Sequence, residues 1–518
     1  MKKQSTKKSK APEKKQEKPA EQEQTQAIIL EKYTVTADDV PAIVNIVKDP
    51  ALFVNKYALK LPNIEEGTRV IIDVIKNRIV GEMVITPKEF LDVRAVQLLK
   101  QRFKQKVIDL LKEEIPGISE GKINVLSGFI IHETVGLGTI EFLLSDENLE
   151  EIVINTATQC VKVYHKGYGW METNICVKSE AQTYNYSSYI ARQIGRSITN
   201  LSPLLDAHLL SGDRVNATLF PISTEGNTIT IRKFRRNPWT LPELISGKAL
   251  SVDVAALVWI AIQYEMSFIV SGGTGSGKTT MLNAFMTLIP ASHRVISIED
   301  TRELILPKFL HWVPLTTRES NAEGKGQVAM LDLLINSLRM RPDRIIVGEI
   351  RKHEEAEVLF EAIHTGHSVY ATLHADTAQQ TLERLTNPPI NIPPAMVGAL
   401  PLIVVMFRQR KKGIRRTFEI AEIAPSIGSK KELRVNTLYR WNPRTDEVVQ
   451  EESSLRLLSD ITLYTGMTPE EIKKDMREKI EVLEYMMKKK FNTVGQVGRV
   501  VNEYYLDREK LLKRIREE

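Results

Sequence analysis

The hydrophobic positions divide the chain into stretches of different period. Residues 268–270, 295–298, 344–347 and 368–372 are short, nearly continuous apolar runs, and the segments between them carry helical spacing. Buried apolar strands alternating with helices predict a largely parallel sheet covered on both faces, an α/β architecture. Upstream, residues 152–154, 161–164 and 229–231 have strand-like patterns. Gly167 and Gly169 predict a turn between Tyr164 and Trp170, and helical periodicity returns over 186–194. Nearer the start, residues 70–72 read as a short strand. Residues 90–114 read as a helix, with Val96, Leu99, Phe103, Val107, Leu110 and Leu111 at helical spacing and Pro116 and Gly117 as its stop.

The C-terminal part reads as mostly helical. Thr468, Pro469, Glu470 and Glu471 form a helix start with a capping box, and Ile472, Met476, Ile480, Leu483 and Met487 then make one apolar stripe. The breaks in pattern set the expected domains. A disordered Lys/Glu-rich tail covers 1–26, an accessory region 27–121 and an α+β domain 122–234. A linker follows at 235–241, opened by Arg235, Arg236, Asn237 and Pro238. The main α/β domain spans 242–440, and the helical region spans 441–518.

Composition narrows the class of protein. A chain of 518 residues with 42% apolar residues has room for two or three domains. A net charge of +6, from 71 basic and 65 acidic residues, is small for this length and does not point to nucleic acid. The two cysteines, Cys160 and Cys176, are too few for a disulfide scaffold or a four-cysteine zinc site, and they are expected to be separate reduced thiols. Residues 1–26 have no apolar run, so no signal peptide is expected there. The most apolar stretch, 255–270, is interrupted by Gln263 and Glu265 and is too short to span a bilayer. Work at a membrane would therefore go through partners or surface contacts.

The strongest chemical signal is Gly272, Gly273, Thr274, Gly275, Ser276, Gly277, Lys278 and Thr279, which fits G-x-x-x-x-G-K-[ST] at every position. The predicted strand 268–270 enters it, and a predicted helix, 279–288, leaves it. Glycines let backbone N–H groups turn toward a phosphate, and the helix N-terminus adds a positive dipole end. Lys278 is placed for the β- and γ-phosphates, and the Thr279 hydroxyl for Mg²⁺. Thr280 continues the nucleotide-binding set. The predicted cofactors are ATP and Mg²⁺.

Two further strands end in acids. The run 295–298 breaks into Glu299, Asp300, Thr301, Arg302 and Glu303, where a carboxylate can polarise the attacking water. The run 344–347 leads to Gly348, Glu349, Ile350 and Arg351, as expected of the strand on the Mg²⁺ side of a P-loop enzyme. His367 and His374 flank the strand 368–372. Their position at its two ends argues against a shared metal, and they read either as ordinary polar groups or as phosphate sensors. A basic run, 408–416, is centred on Gly413. It reads as a hairpin tip that is either a solvated loop or a contact for anionic lipid or an acidic partner face.

These boxes, in this order, resemble the secretion and type IV pilus ATPase superfamily, with its Walker A, Asp, Walker B and His boxes. The likeness covers roughly residues 141–384 and is nearest to the archaeal branch, which includes the archaellum motor ATPase. It implies a RecA-like P-loop NTPase core, an N-terminal α+β domain and a helical C-terminal region. It also implies a homo-hexameric ring with ATP between two domains. Glu303 matches the catalytic base, Glu349 the Walker B acid that serves Mg²⁺, and His367 and His374 the His-box pair. Arg214 and Arg232 match arginines that approach the γ-phosphate. The chain departs from many bacterial members in lacking cysteines for their zinc insertion.

The implied activity is ATP hydrolysis that powers filament assembly or type II-like secretion. The implied place is the cytoplasm, peripheral at the inner face of the cell membrane. The implied partner is a polytopic membrane platform protein, and nucleic acid is not expected. Two rival readings share the same core: a conjugation-type, nucleic-acid-translocating ATPase, and a regulatory ring with little turnover.

Overall fold

The computed structural model describes residues 27–49, 53–82, 93–209, 211–235, 237–318, 320, 324–426 and 429–518. The expected tail, the first residues of the helix expected at 90–114, and Arg236 lie outside them. Cα proximity divides the chain into two compact units, residues 1–186 with 217–231 and residues 187–216 with 232–518. The architecture is mixed α/β, with two sheets and C-terminal helices.

The first sheet contains β1 (Ile28–Ala37), β2 (Val40–Lys48), β3 (Lys56–Lys60), β4 (Leu149–Ile154), β5 (Cys160–His165), β6 (Gly169–Cys176), β7 (Leu204–His208), β8 (Arg214–Thr218) and β9 (Thr228–Arg232). Its order is β1-β2-β3-β6-β5-β4-β9-β8-β7. The turn at Gly167 and Gly169 falls as expected between β5 and β6, where Gly169 takes φ +71°.

Two expectations in this region are corrected. Residues 70–72 are helical, inside Glu66–Glu82, because Ile72, Ile75 and Ile79 continue at helical spacing and bury against Leu99, Phe103 and Val107. The consecutive branched residues gave a false strand signal. The meander β1–β3 in the same region carries strong alternation in β2, where Val40, Ala42, Val44 and Ile46 are buried. Cys160 and Cys176 are not separate thiols. The register of β5 and β6 sets them opposite each other, with their Sγ atoms 2.01 Å apart in a disulfide.

The second sheet contains β10 (Phe268–Gly272), β11 (Arg294–Glu299), β12 (His311–Thr316), β13 (Arg344–Val347), β14 (Ser368–Leu373), β15 (Leu402–Gln409), β16 (Ile414–Ser426), β17 (Ser429–Asn442) and β18 (Glu447–Gln450). Its order is β12-β11-β13-β14-β10-β15-β16-β17-β18. The pairs from β12 to β15 are parallel, and those from β15 to β18 are antiparallel. β10, β13 and β14 are buried along their whole length, as continuous apolar strands in a covered parallel sheet must be. This is the RecA-like P-loop core. The chain remains in strand conformation past residue 440, through β17 and β18, before the C-terminal helices begin.

The apolar stretch starting near 255 is the helix Val252–Gln263, with every residue from Val254 to Ile262 buried. It has no polar face because the C-terminal helix Pro469–Lys488 packs into the same core. Trp259 Nε1 donates to Tyr505 Oη at 2.8 Å, and Tyr505 Oη donates to the Leu288 carbonyl at 2.8 Å. The capping box at Thr468 is present. The buried face of this helix differs from the expected stripe: it carries Asp475 and Lys479 together with Ile472, Val482, Leu483 and Met486, while Met476, Ile480 and Met487 are only partly buried. Among the described residues no helix is long and apolar enough to cross a membrane.

Candidate active site

The phosphate loop leaves the C-terminal end of β10 and enters the helix Lys278–Met286. Gly272 has φ +146°, and a Cβ there would lie 2.3 Å from the Met406 carbonyl oxygen and 2.6 Å from Ser276 Oγ. Only glycine fits so close to β15 in that conformation. Gly277 caps the helix in the left-handed region at φ +98°. Gly273 and Thr274 lie on the accessible part of the loop, Ser276 is buried, and Thr279 and Thr280 are half-buried in the first helical turn.

Lys278 is nearly enclosed. Its Nζ donates to the Gly273 carbonyl and to His374 Nδ1, each at 3.2 Å. Burial lowers its pKa, and the charge of Arg232 acts in the same sense, against the carboxylates of Glu349, Glu303 and Asp376. His374 Nε2 lies 3.0 Å from Glu349 Oε1. With the proton on Nε2, the ring accepts from Lys278 and donates to Glu349, so one neutral tautomer satisfies both contacts. Burial, followed by the Lys278 charge, holds the His374 pKa below its ordinary value. Glu349 also accepts from Arg351 Nη2 at 2.6 Å, and Arg351 Nη1 reaches Asp300 at 2.9 Å. Three strand ends, those of β11, β13 and β14, are thus tied to the phosphate loop.

The acidic segment after β11 divides its roles by burial. Glu299 is 2% exposed and accepts the backbone N–H groups of Glu303 at 2.9 Å and Leu304 at 3.0 Å. Asn283, on the helix after the phosphate loop, accepts the Ile305 N–H at 2.9 Å. Burial raises the Glu299 carboxyl to a pKa of about 7, although the two backbone donors favour its charged form. Glu303 is left facing the site. Burial raises its pKa as well, opposed by the charge of Arg232, the Thr279 hydroxyl and the charge of Arg214. A raised carboxylate beside the threonine of the phosphate loop has the character of a general base.

The two expected arginines differ in setting. Arg214 is held by Asp206, with Nε at 3.0 Å and Nη2 at 2.5 Å from its two oxygens. That bond is the first cause of its raised pKa, with Asp300 and Glu303 contributing more weakly. Arg232 is exposed, and its charge reaches both Lys278 and Glu303. His367 is placed elsewhere. It precedes β14, with Nδ1 3.1 Å from Thr365 Oγ1, while His374 follows β14. The extended strand between them keeps the two rings about 20 Å apart. Of the two, His374 lies at this chain's phosphate loop and His367 at the opposite end of β14, as their places flanking the strand imply. Glu299, Asp300, Asn283 and Arg351 are the site residues that motif spacing assigns no individual role, although three of them fall inside the recognised boxes.

A Mg²⁺ ion carried by a nucleotide needs hard oxygen donors and few protein ligands. The Thr279 hydroxyl and the Glu349 carboxylate, both on the phosphate-loop side of the sheet, are donors of that kind. Among the described residues no group of three or more His, Cys, Asp or Glu side chains forms a metal cage.

Residues 210–410 match the family model described as type II/IV secretion system protein. An uncharacterised protein of Methanocaldococcus jannaschii is 34% identical over 379 residues, 72% of this chain and 68% of its own length. A putative conjugal transfer protein of Mycobacterium tuberculosis is 33% identical over 274 residues, 51% of this chain and 77% of its own length. Among solved structures, the VirB11 ATPase of the Brucella suis type IV secretion system has 26% sequence identity over 54% of this chain and 90% of that one, at a TM-score of 0.28.

Proposed function

The chain belongs to the type II/IV secretion system protein family, and from that premise we propose that it is a Mg²⁺-dependent ATPase whose hydrolysis drives movement in a membrane-bound filament or secretion assembly. The observation that carries the reading is the convergence on one phosphate loop of Lys278, His374, Glu349 and Glu303, each from a different strand end. In this reading Lys278 gives up His374 for the β- and γ-phosphates. Glu303 takes a proton of the attacking water as the water oxygen bonds to the γ-phosphorus, while the bond from that phosphorus to the β–γ bridging oxygen breaks and ADP leaves with its electron pair. Bound Mg²⁺ supplies charge neutralisation of the polyphosphate, with Thr279 and Glu349 as its protein side. Arg232 adds positive charge at the γ-phosphate side. Freed of Lys278, His374 reports phosphate occupancy to Glu349 through the same ring.

The finer reading is a homo-hexamer at the cytoplasmic face of the cell membrane, acting on a polytopic platform protein to assemble a pilus or archaellum. In it, residues 122–234 and 242–440 are the working domains and 235–241 their linker. A second reading, a conjugation-type role, is favoured by the relative named as a putative conjugal transfer protein. ATP turnover of the purified protein, measured with anionic liposomes or with single-stranded DNA, separates the two. Stimulation by lipid alone supports the membrane assembly motor. Stimulation by DNA that falls steeply with salt supports the conjugation-type motor and removes the first reading. Absence of turnover under all conditions removes the ATPase reading itself.

A further inference from the structure

The basic run 408–416 lies against the phosphate loop. β15 pairs with β10 in parallel, with Met406 beside Gly272, and two residues later Arg408 reaches back over the loop. A Cβ on Gly275 would lie 2.7 Å from Arg408 Nη1. The antiparallel register of β15 and β16 sets Arg415 directly opposite Arg408. Arg415 Nε donates to the Gly275 carbonyl at 3.0 Å, and its Cδ lies 3.6 Å from a Cβ placed on Gly277. Position 275 is a variable position in the phosphate-loop pattern. Its glycine is explained here by a φ of +70° and by the guanidinium resting on it.

The hairpin that carries these groups is anchored. Arg416, the next residue, turns to the other face of the sheet and is 8% exposed. Its Nε and Nη2 donate to the two oxygens of Asp446 at 2.7 Å and 2.9 Å, and Nη1 donates to the Gly247 carbonyl at 3.3 Å. Arg415 is thus presented from a fixed strand, while Lys411 and Lys412 at the tip are exposed. Like charges directly opposite each other across two strands repel.

We propose that Arg408 and Arg415 form a second cationic wall of the nucleotide site, holding Gly275 to Gly277 in the phosphate-receiving conformation and raising affinity for the polyphosphate of a nucleoside triphosphate. This rests on the ATPase reading and assigns the hairpin a part in it. Arg415 acts through the loop carbonyl and is a positioning residue; Arg408 covers the same glycine from the facing strand.

The test compares wild type with Arg408→Ala, Arg415→Ala, Arg415→Lys, Lys278→Ala and the double variant Lys411→Ala/Lys412→Ala. The readouts are kcat and KM for MgATP, and Kd for a fluorescent ATP analogue. Loss of the Arg415 hydrogen bond to Gly275, and of the Arg408 charge beside the same glycine, predicts that each arginine-to-alanine change raises KM and Kd about tenfold. Removal of ground-state binding leaves kcat within about threefold of wild type. Arg415→Lys keeps the charge and the aliphatic stem but not the planar fork, so it falls between wild type and Arg415→Ala, and it decides the matter if the alanine variants melt early. Lys411→Ala/Lys412→Ala matches wild type. Wild-type KM and Kd in all three arginine variants overturn the proposal, as does an equal rise in the tip-lysine variant, which would mark a general charge effect. If wild type and Lys278→Ala alike fail to bind the analogue, the ATPase reading falls first; if only Lys278→Ala fails, that reading stands and the arginine variants decide.

Discussion

Glu299 and Glu303 stand four residues apart in one acidic segment, yet their surroundings give them different work. Glu299 is buried beneath the segment and holds the Glu303 backbone, while Glu303 faces the Thr279 hydroxyl. Removing a general base costs about a hundredfold or more in kcat and leaves ground-state contacts intact. Glu303→Gln is therefore expected to lose turnover by at least about a hundredfold while binding ATP at near wild-type Kd, by parallel turnover and equilibrium titration. Parental turnover in that variant would refute the base assignment. Glu299 makes a separate prediction about pH. Its pKa rises from 4.5 to about 7 on folding, so the folded protein binds more protons between those values. Its stabilising contribution is complete below the unfolded pKa and is lost as pH rises through the folded one. Glu299→Gln removes the dependence, so its melting temperature should gain on wild type between about pH 5 and about pH 8. A constant difference across that range would show that the carboxyl does not titrate there.

At the scale of the element, the helix Pro469–Lys488 carries a buried ion pair where an apolar stripe would have sufficed. Lys479 Nζ lies 2.6 Å from Asp475 Oδ1, and both side chains are at most 1% exposed. Tyr504 donates to the same carboxylate oxygen at 2.8 Å. Burial depresses the Lys479 pKa to about 8, although the Asp475 charge opposes it. Breaking one partner leaves the other without its counter-charge, which predicts that Asp475→Asn destabilises the second unit by about 3–5 kcal/mol in urea denaturation. Replacing both residues with apolar side chains of similar volume should recover most of that loss. A double replacement as unstable as Asp475→Asn would mean that the pair contributes more than mutual neutralisation. The same helix shows how far pattern reading extends. Its start follows from Thr468 to Glu471, because a capping box is a local hydrogen-bond motif. Its inner face does not, because Asp475 and Lys479 are charged and are buried only in company with each other and with Tyr504 from a later helix. Residues 70–72 mislead for the opposite reason: three residues are too few to fix a period, and the helix is settled by Ile75 and Ile79 packing on the next helix.

At the scale of the whole molecule, the homo-hexamer proposed above implies assembly that depends on nucleotide at its sites. Glu303→Gln with MgATP is therefore expected to give a stable six-chain particle by mass photometry, and Lys278→Ala a population unresponsive to MgATP. Six-chain particles in equal amount with and without nucleotide in both variants would break the coupling between site and assembly. The eight-residue phosphate loop, the order of the acidic boxes and the buried parallel strands are legible along the chain. Each is contiguous, and each meets a local demand, whether for a positive φ, a cap or an apolar strand. The partners of those residues are not legible in the same way. Lys278 meets His374 across 96 residues, and Arg415 meets Gly275 across 140. Those contacts arise because crossover connections bring distant strand ends to one edge of the sheet. The meeting of His374 with Lys278, the burial of Glu299 beneath Glu303, and a basic hairpin resting on the phosphate loop are therefore consequences of strand order and burial, which no local pattern encodes.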